Sequence, residues 1–333
     1  MPVLSIRYEK SWRDKAILQI NFGLAIGEQG TSQLDWTSTA DPRPDYYRYL
    51  PSYRKDSSTQ SQLTKWFESN PQSLQINFDR IQKINTASVS KRSFYIINKN
   101  SANIILGRAS ALYKLEINNY WSTNAGIQIA KDKIHYFNII ENLLGGQFYY
   151  NYNGWVIDDG LVNSFQNNIQ SPDQKIKEGE RWGPNFELQS MQATSWLQLK
   201  NTRPRWEFYT GLNYGMDLFQ RNGFNQNGLF INNSLGYSPL FYFPSIGYKG
   251  QVLYKFSGRF YARSILFNQQ FAPNASAVFL DPAFHAFQTP FLLPLLKNGI
   301  DLSFYFRGVD TKIMLSTYFQ KVKNESEKRF FYH

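Results

Sequence analysis

Between Trp206 and Leu218 the chain reads WEFYTGLNYGMDL, and every second residue belongs to the same row. Trp206, Phe208, Thr210, Leu212, Tyr214, Met216 and Leu218 form an apolar row, against Glu207, Tyr209, Gly211, Asn213, Gly215 and Asp217. A strand sends successive side chains to opposite faces, so this period dictates a two-faced β-strand. It is long, because ordinary globular strands run to about 5–6 residues and a bilayer-crossing strand needs about 9–11. Its polar row is made of glycine and small polar groups with two charges, where a water-facing soluble sheet carries more Lys and Glu. The stretch reads as one stave of a membrane β-barrel.

The same alternation recurs. Over 16–27, Ala16, Leu18, Ile20, Phe22, Leu24 and Ile26 oppose Ile17, Gln19, Asn21, Gly23, Ala25 and Gly27. Leaving five such large apolar side chains in water costs on the order of 10 kcal/mol, so the row demands lipid or a core. Further strands are expected at 2–9, 101–116, 121–135, 185–200, 245–256, 259–268, 300–307 and 312–320. That makes about ten, with Ser257 and Gly258 as a minimal hairpin turn and Ser11 to Asp14 and Asn201 to Arg205 as other tight connections.

Composition agrees. Aromatic residues make up 17% of the 333 residues, yet mean hydropathy is −0.47. Apolar residues that alternate with polar ones escape hydropathy windows. No apolar run approaches the length of a membrane helix. With no cysteine, disulfide and thiol chemistry are excluded. The net charge of +11 is scattered through turns and loops, which suits a solvated surface touching anionic lipid headgroups. It forms no concentrated basic patch of the kind a nucleic-acid partner requires.

Connection lengths carry the second argument. Short turns alternate with long segments at about 28–100, 136–184, 219–244 and 269–296. Outer-membrane barrels place short turns on the periplasmic rim and long loops outside. The expected fold is therefore all-β, a transmembrane antiparallel barrel spanning 1–333, with its long loops extracellular and open edges at 2–9 and 311–320.

Three segments extend this reading. LDWTSTADPRPDYYRYLPSY (34–53) resembles an extracellular loop of TonB-dependent outer-membrane receptors of the Bacteroidota type, in which a Trp precedes D-P-R-P-D-Y-Y-x-x-L-P-S. ENLLGGQFYY (141–150) is similar to a later D-L-L-G-A-x-F-Y loop of the same family, and NESEKRFFYH (324–333) to its R-S-F-Y-H-D segment. The resemblance implies a 22-stranded barrel with a plug, driven from the inner membrane through a TonB box, for active uptake of a large nutrient such as a glycan, peptide or metal chelate. It covers the middle of that barrel. The expected partners are outer-membrane lipid, the remaining barrel and plug segments, the inner-membrane TonB complex through that plug, and a surface lipoprotein lid. No plug, TonB box, export signal or cofactor site is recognised, so the chain is expected to be a piece of a larger transporter.

Candidate ligand contacts are Trp36, Asp41, Arg43, Asp45, Tyr46, Tyr47 and Tyr49, since Tyr, Trp and Arg predominate at binding hot spots. The bland alternative is that they stiffen the loop. Gln19, Asn21, Asn124, Gln128, Glu207, Asn213, Asp217 and Arg307 are expected to line a polar lumen. Trp121, Trp206, Tyr214, Tyr248 and Tyr254 are expected in interfacial girdles. Asp158 and Asp159 beside Gly160 read as a solvated turn more readily than as a cation site. His135, His285 and His333 have no metal spacing and no evident nucleophile to serve. That leaves an outer-membrane hydrolase, and a soluble or surface all-β binding protein, as the competing readings.

Overall fold

The computed structural model describes residues 1–12, 15–154, 156 and 163–327. Arg13, Asp14, Asp158, Asp159, Gly160, His333 and most of the terminal segment similar to R-S-F-Y-H-D lie outside the described residues. Ten long strands follow one another: β1 (Val3–Trp12), β2 (Ala16–Trp36), β3 (Tyr95–Glu116), β4 (Trp121–Asn142), β5 (Arg181–Thr202), β6 (Trp206–Gly223), β7 (Phe241–Lys255), β8 (Phe260–Phe271), β9 (Leu295–Arg307) and β10 (Lys312–Lys323). They pair antiparallel in chain order in one continuous sheet. Among the described residues β1 pairs only with β2 and β10 only with β9, so both outer edges are free, where open edges were expected.

The register shows why the alternation matters. Asn21 faces Ser110, Ser110 faces Gln128, Gln128 faces Thr194, Thr194 faces Gly215 and Gly215 faces Ser245. Directly opposed residues share a face, so one polar row crosses six strands. The other face carries Ile20, Phe22, Leu212, Ile246 and Phe304, which are 43–56% exposed and enter no protein core. Trp206 faces Tyr254, and Leu212 faces Tyr248, on that apolar face.

All tight turns sit at one rim. Lys15 N–H donates to Trp12 O, and Asn118 N–H to Trp121 O. Arg203 N–H donates to Trp206 O, Ser257 N–H to Phe260 O and Gly308 N–H to Thr311 O. The Ser257–Gly258 turn is wider than a two-residue hairpin: β7 ends at Lys255 and β8 begins at Phe260. The Ser257 hydroxyl accepts from Arg259 and Phe260 N–H, so a side chain closes part of the turn.

The long connections are shorter than the sequence suggests, because the strands continue past the apolar belt. The segments between strands run over 37–94, 143–180, 224–240 and 272–294, in place of 28–100, 136–184, 219–244 and 269–296. Strands β3, β4 and β5 each hold 22 residues. At about 3.3 Å per residue that is about 70 Å of strand, against an apolar band about 25 Å tall. The upper ends carry no clean alternation because both faces there are covered. Tyr95 is 3% exposed and the adjacent Ile96 is fully buried.

Two structures cover those ends. Segment 37–94, expected to be irregular, contains α1 (Ser57–Ser69) and α2 (Phe78–Thr86). Asp56 caps α1 by accepting from Thr59 N–H, and Asn77 caps α2 by accepting from Arg80 N–H. Ile81 of α2 packs with Tyr95 and Leu144, against Leu34, Trp36 and Ile97. On the opposite side, Ile96 and Ile140 pack with Leu143, Tyr149, Ile176 and Trp182. Farther along, α3 (Ala275–Val278) brings Val278 and Phe279 onto Phe186, Leu188, Phe219 and Phe243. Connection 272–294 thus folds onto the face that carries the polar row.

Candidate ligand cleft

Strand β2 ends at Trp36 because the ladder with Tyr95 closes there and Thr37 N–H donates to Phe94 O. The chain then turns through Ser38, at φ 56, and runs as a proline-punctuated ribbon into a single 3₁₀ turn over Tyr47–Tyr49. Asp41 organises the ribbon. Its carboxylate accepts from Arg43 N–H at 2.9 Å, from Arg43 Nε at 2.9 Å and from Nη2 at 2.6 Å. Partial burial pushes the Asp41 carboxyl up, but the bonds and charge of Arg43 hold it below the usual carboxylate range. The Arg43 guanidinium lies over the Trp36 ring, 5.2 Å from its centroid. Tyr46 packs edge-on against Tyr47 and Tyr49, and Tyr49 Oη donates to Asp41 O at 3.0 Å.

A cleft of about 1310 Å³ opens beside this ribbon. Of the seven expected contacts, Trp36, Arg43, Asp45, Tyr46 and Tyr47 line it. Asp41 and Tyr49 do not; they brace the ribbon from behind. The rest of the wall comes from segments that the sequence did not link to it: Asp35, Asn138, Tyr152, Asn167, Trp182 and Phe284 among others. A bulge delivers one of these. The β4–β5 register shifts at Phe137/Asn138, and Gly183 sits at φ +66, a left-handed conformation suited to glycine. Beside it, Trp182 Nε1 donates to Asn98 Oδ1 at 3.0 Å and the indole packs edge-on against Tyr149. Tyr152 stacks on Tyr150 at 4.8 Å and donates to Asp173 at 2.7 Å, which fixes its ring. Asp35 accepts from Trp36 N–H at 2.8 Å, and burial pushes its carboxyl up.

The eight residues expected along a lumen share one face. Register places Gln19, Asn21, Asn124, Gln128, Glu207, Asn213, Asp217 and Arg307 all on the polar side. Asn213 and Asp217 also line a smaller cavity of about 450 Å³ beneath residues 272–274. Among the described residues three ion pairs lie on this side, Arg7 with Glu9, Arg108 with Asp132 and Lys255 with Glu207. His135 Nε2 lies 2.7 Å from Asn185 Oδ1, and His285 Nδ1 accepts from Phe287 N–H. Among the described residues no three His, Cys, Asp or Glu gather to hold a metal ion.

No protein-family model matches the chain, and no curated protein matches it. Solved structures do. The copper transporter OprC is similar over 96% of this chain and 38% of its own length, with a TM-score of 0.51 and 10% identity. The toluene transporter TbuX of Ralstonia pickettii aligns over 92% of this chain and 68% of its own, at 8% identity and a TM-score of 0.27. The likeness to OprC shows the fold, an antiparallel sheet of the outer-membrane β-barrel type. In a barrel of this kind the polar face turns inward and the apolar face meets lipid. The chain spans well under half the length of OprC. At 10% identity the likeness concerns architecture and leaves open the TonB-dependent type suggested by the loop motifs.

Proposed function

We propose that this chain is part of the barrel of an outer-membrane transporter and captures a nutrient at its loop-bearing rim. One observation carries the reading. A single loop motif and four other segments, from β4, connection 143–180, β5 and connection 272–294, meet in one cleft. Ligand sites are concave and combine apolar walls with placed polar groups, and this cleft sets six aromatic rings beside Asp35, Arg43, Asp45 and three asparagines. The D-P-R-P-D-Y-Y likeness favours the TonB-dependent Bacteroidota type. On that reading the substrate is a large nutrient, and the remaining barrel and plug segments complete the channel. The inner-membrane TonB complex acts through that plug, and a surface lipoprotein lid would close over 37–94. The long connections then face outward and the tight turns face the periplasm.

Cysteine labelling tests this arrangement, since the chain has no native cysteine. Thr64→Cys on α1 and Gly258→Cys at a tight turn, where a side chain meets open space, are introduced singly. A membrane-impermeant maleimide applied to intact cells is expected to label position 64, and position 258 only after the outer membrane is permeabilised. The reverse pattern, or labelling of a freely soluble chain, overturns the proposal.

A further inference from the structure

The charges around the cleft are lopsided. Among the described residues its wall holds three charged side chains, Asp35, Arg43 and Asp45, and no lysine, in a chain whose net charge is +11. Arg43, the cation among these three, is already engaged, because it forks onto Asp41 and lies over Trp36. Asp41 thereby neutralises Arg43 and leaves the fields of Asp35 and Asp45 directed at the cleft. The nearby Arg92 does not line it. Its guanidinium lies over Phe94 and Tyr150, at 4.5 and 5.5 Å, behind the ring of Tyr152 that stacks on Tyr150.

Six rings, Trp36, Tyr46, Tyr47, Tyr152, Trp182 and Phe284, share the rest of the wall with neutral polar groups such as Thr37, Asn138 and Asn167. Ring faces carry partial negative charge and attract ammonium and guanidinium groups, more strongly where water is displaced. Carboxylates behind such rings add to the same preference. An anionic ligand would meet two carboxylates, Asp35 and Asp45, against a single guanidinium, Arg43, that Asp41 already holds. A neutral polyol would stack on the rings and donate hydroxyls to the carboxylates, but only a cation adds coulombic attraction to both Asp35 and Asp45.

We propose that the cleft takes a ligand bearing a positively charged nitrogen, a primary or quaternary amine, seated between the rings and read by Asp35 and Asp45. This rests on the cleft being the capture site, and it names the chemical class captured.

The test uses the full chain in a neutral detergent, with three probes followed by calorimetry: tri-lysine, its side-chain-acetylated form and tri-glutamate. Acetylation keeps the probe's size and removes its charge. Tri-lysine is expected to bind about tenfold tighter than its acetylated form, in line with cation–π and ion-pair recognition. In the double variant Asp35→Asn, Asp45→Asn the two are expected to bind within about twofold of each other, since fixed opposite charges supply the preference. Asparagine at 35 retains an oxygen for Trp36 N–H, so the strand end is preserved. Equal binding of the acetylated probe, or preference for tri-glutamate, with either lost in Trp36→Ala, overturns the charge assignment while the cleft reading stands. Failure of all three probes to bind overturns the assignment, and labelling of positions 64 and 258 then decides the cleft reading separately.

Discussion

The side-chain amide of Asn85 donates to the backbone carbonyl of Tyr95 at 2.8 Å, joining the end of α2 to the start of β3. The same nitrogen reaches Leu143 O and Leu144 O, while Oδ1 accepts from Phe94 and Tyr95 N–H. Asn85 is fully buried, so one side chain saturates backbone groups from two connections. Asn85→Leu keeps the branched shape of the side chain and removes every hydrogen bond it makes. Each buried backbone group left unsatisfied costs about 1–3 kcal/mol. Segment 37–94 is therefore expected to open, seen as proteolysis within α1 and α2, while far-ultraviolet circular dichroism keeps its strand signal.

Neighbours on one strand distinguish the two faces. Leu212 is 55% exposed on the apolar face, and Asn213 lies on the polar face beside the smaller cavity. Leu212→Arg is expected to lower folding stability in bilayers by about 2–4 kcal/mol, the cost of a midplane arginine on the lipid face. Asn213→Arg is expected to cost far less. Urea unfolding in liposomes measures both, and equal sensitivity would invert the assignment of faces.

Trp36 links sheet to ribbon. Its ring underlies Arg43 and lines the cleft, and the residue packs with the α2 cluster. Trp36→Ala is expected to weaken capture of a cationic probe about thirtyfold, because truncating an aromatic side chain at a hot spot costs about 2 kcal/mol or more. Trp36→Phe keeps a ring face and is expected to recover most of the affinity. The α2 contact predicts some loosening in the alanine variant, and the phenylalanine variant separates that from lost binding.

The Asp56 carboxyl is held down to about 2 by hydrogen bonds from Thr59 Oγ1, from Thr59 N–H and from Ser58. A carboxyl depressed in the folded state supports that state above its unfolded value, about 3.9. The support fades as pH falls through about 2. Hydrogen exchange at Thr59 is expected to be slow at pH 4, after correction for intrinsic rate, and to lose protection by pH 2. Asp56→Asn keeps a neutral cap and is expected to abolish the pH dependence.

How far the sequence revealed all this depends on which physics each region obeys. Over Ala16–Ile26 and Trp206–Leu218 one face meets an apolar medium and the other a polar one, so alternation was plain and the rows were correctly sorted. Over Leu34–Trp36 and Tyr95–Ile97 both faces are packed, the period of two vanishes, and the strands were read as loop. Hydrogen bonds in the ladder, which leave no compositional trace, carry them on. The cleft was half legible. Trp36, Arg43, Asp45, Tyr46 and Tyr47 lie close together in the chain and share one motif. Tyr152, Trp182 and Phe284 reach it only through strand pairing and a bulge at Gly183, which no local pattern announces. The inward fold of 272–294 was missed because its four prolines signal a loop without saying which way it leans. Asn274, whose side chain accepts from Ala277 N–H, was the available sign that helix α3 begins there.

Because β2 to β5 rise far beyond the lipid belt, the cleft is carried on a tall collar, as a lantern is on a mast. With the long connections facing outward, as proposed, that height sets who arrives first on a crowded cell surface. An antibody or a phage tail fibre would then touch α1 before it touched any lipid.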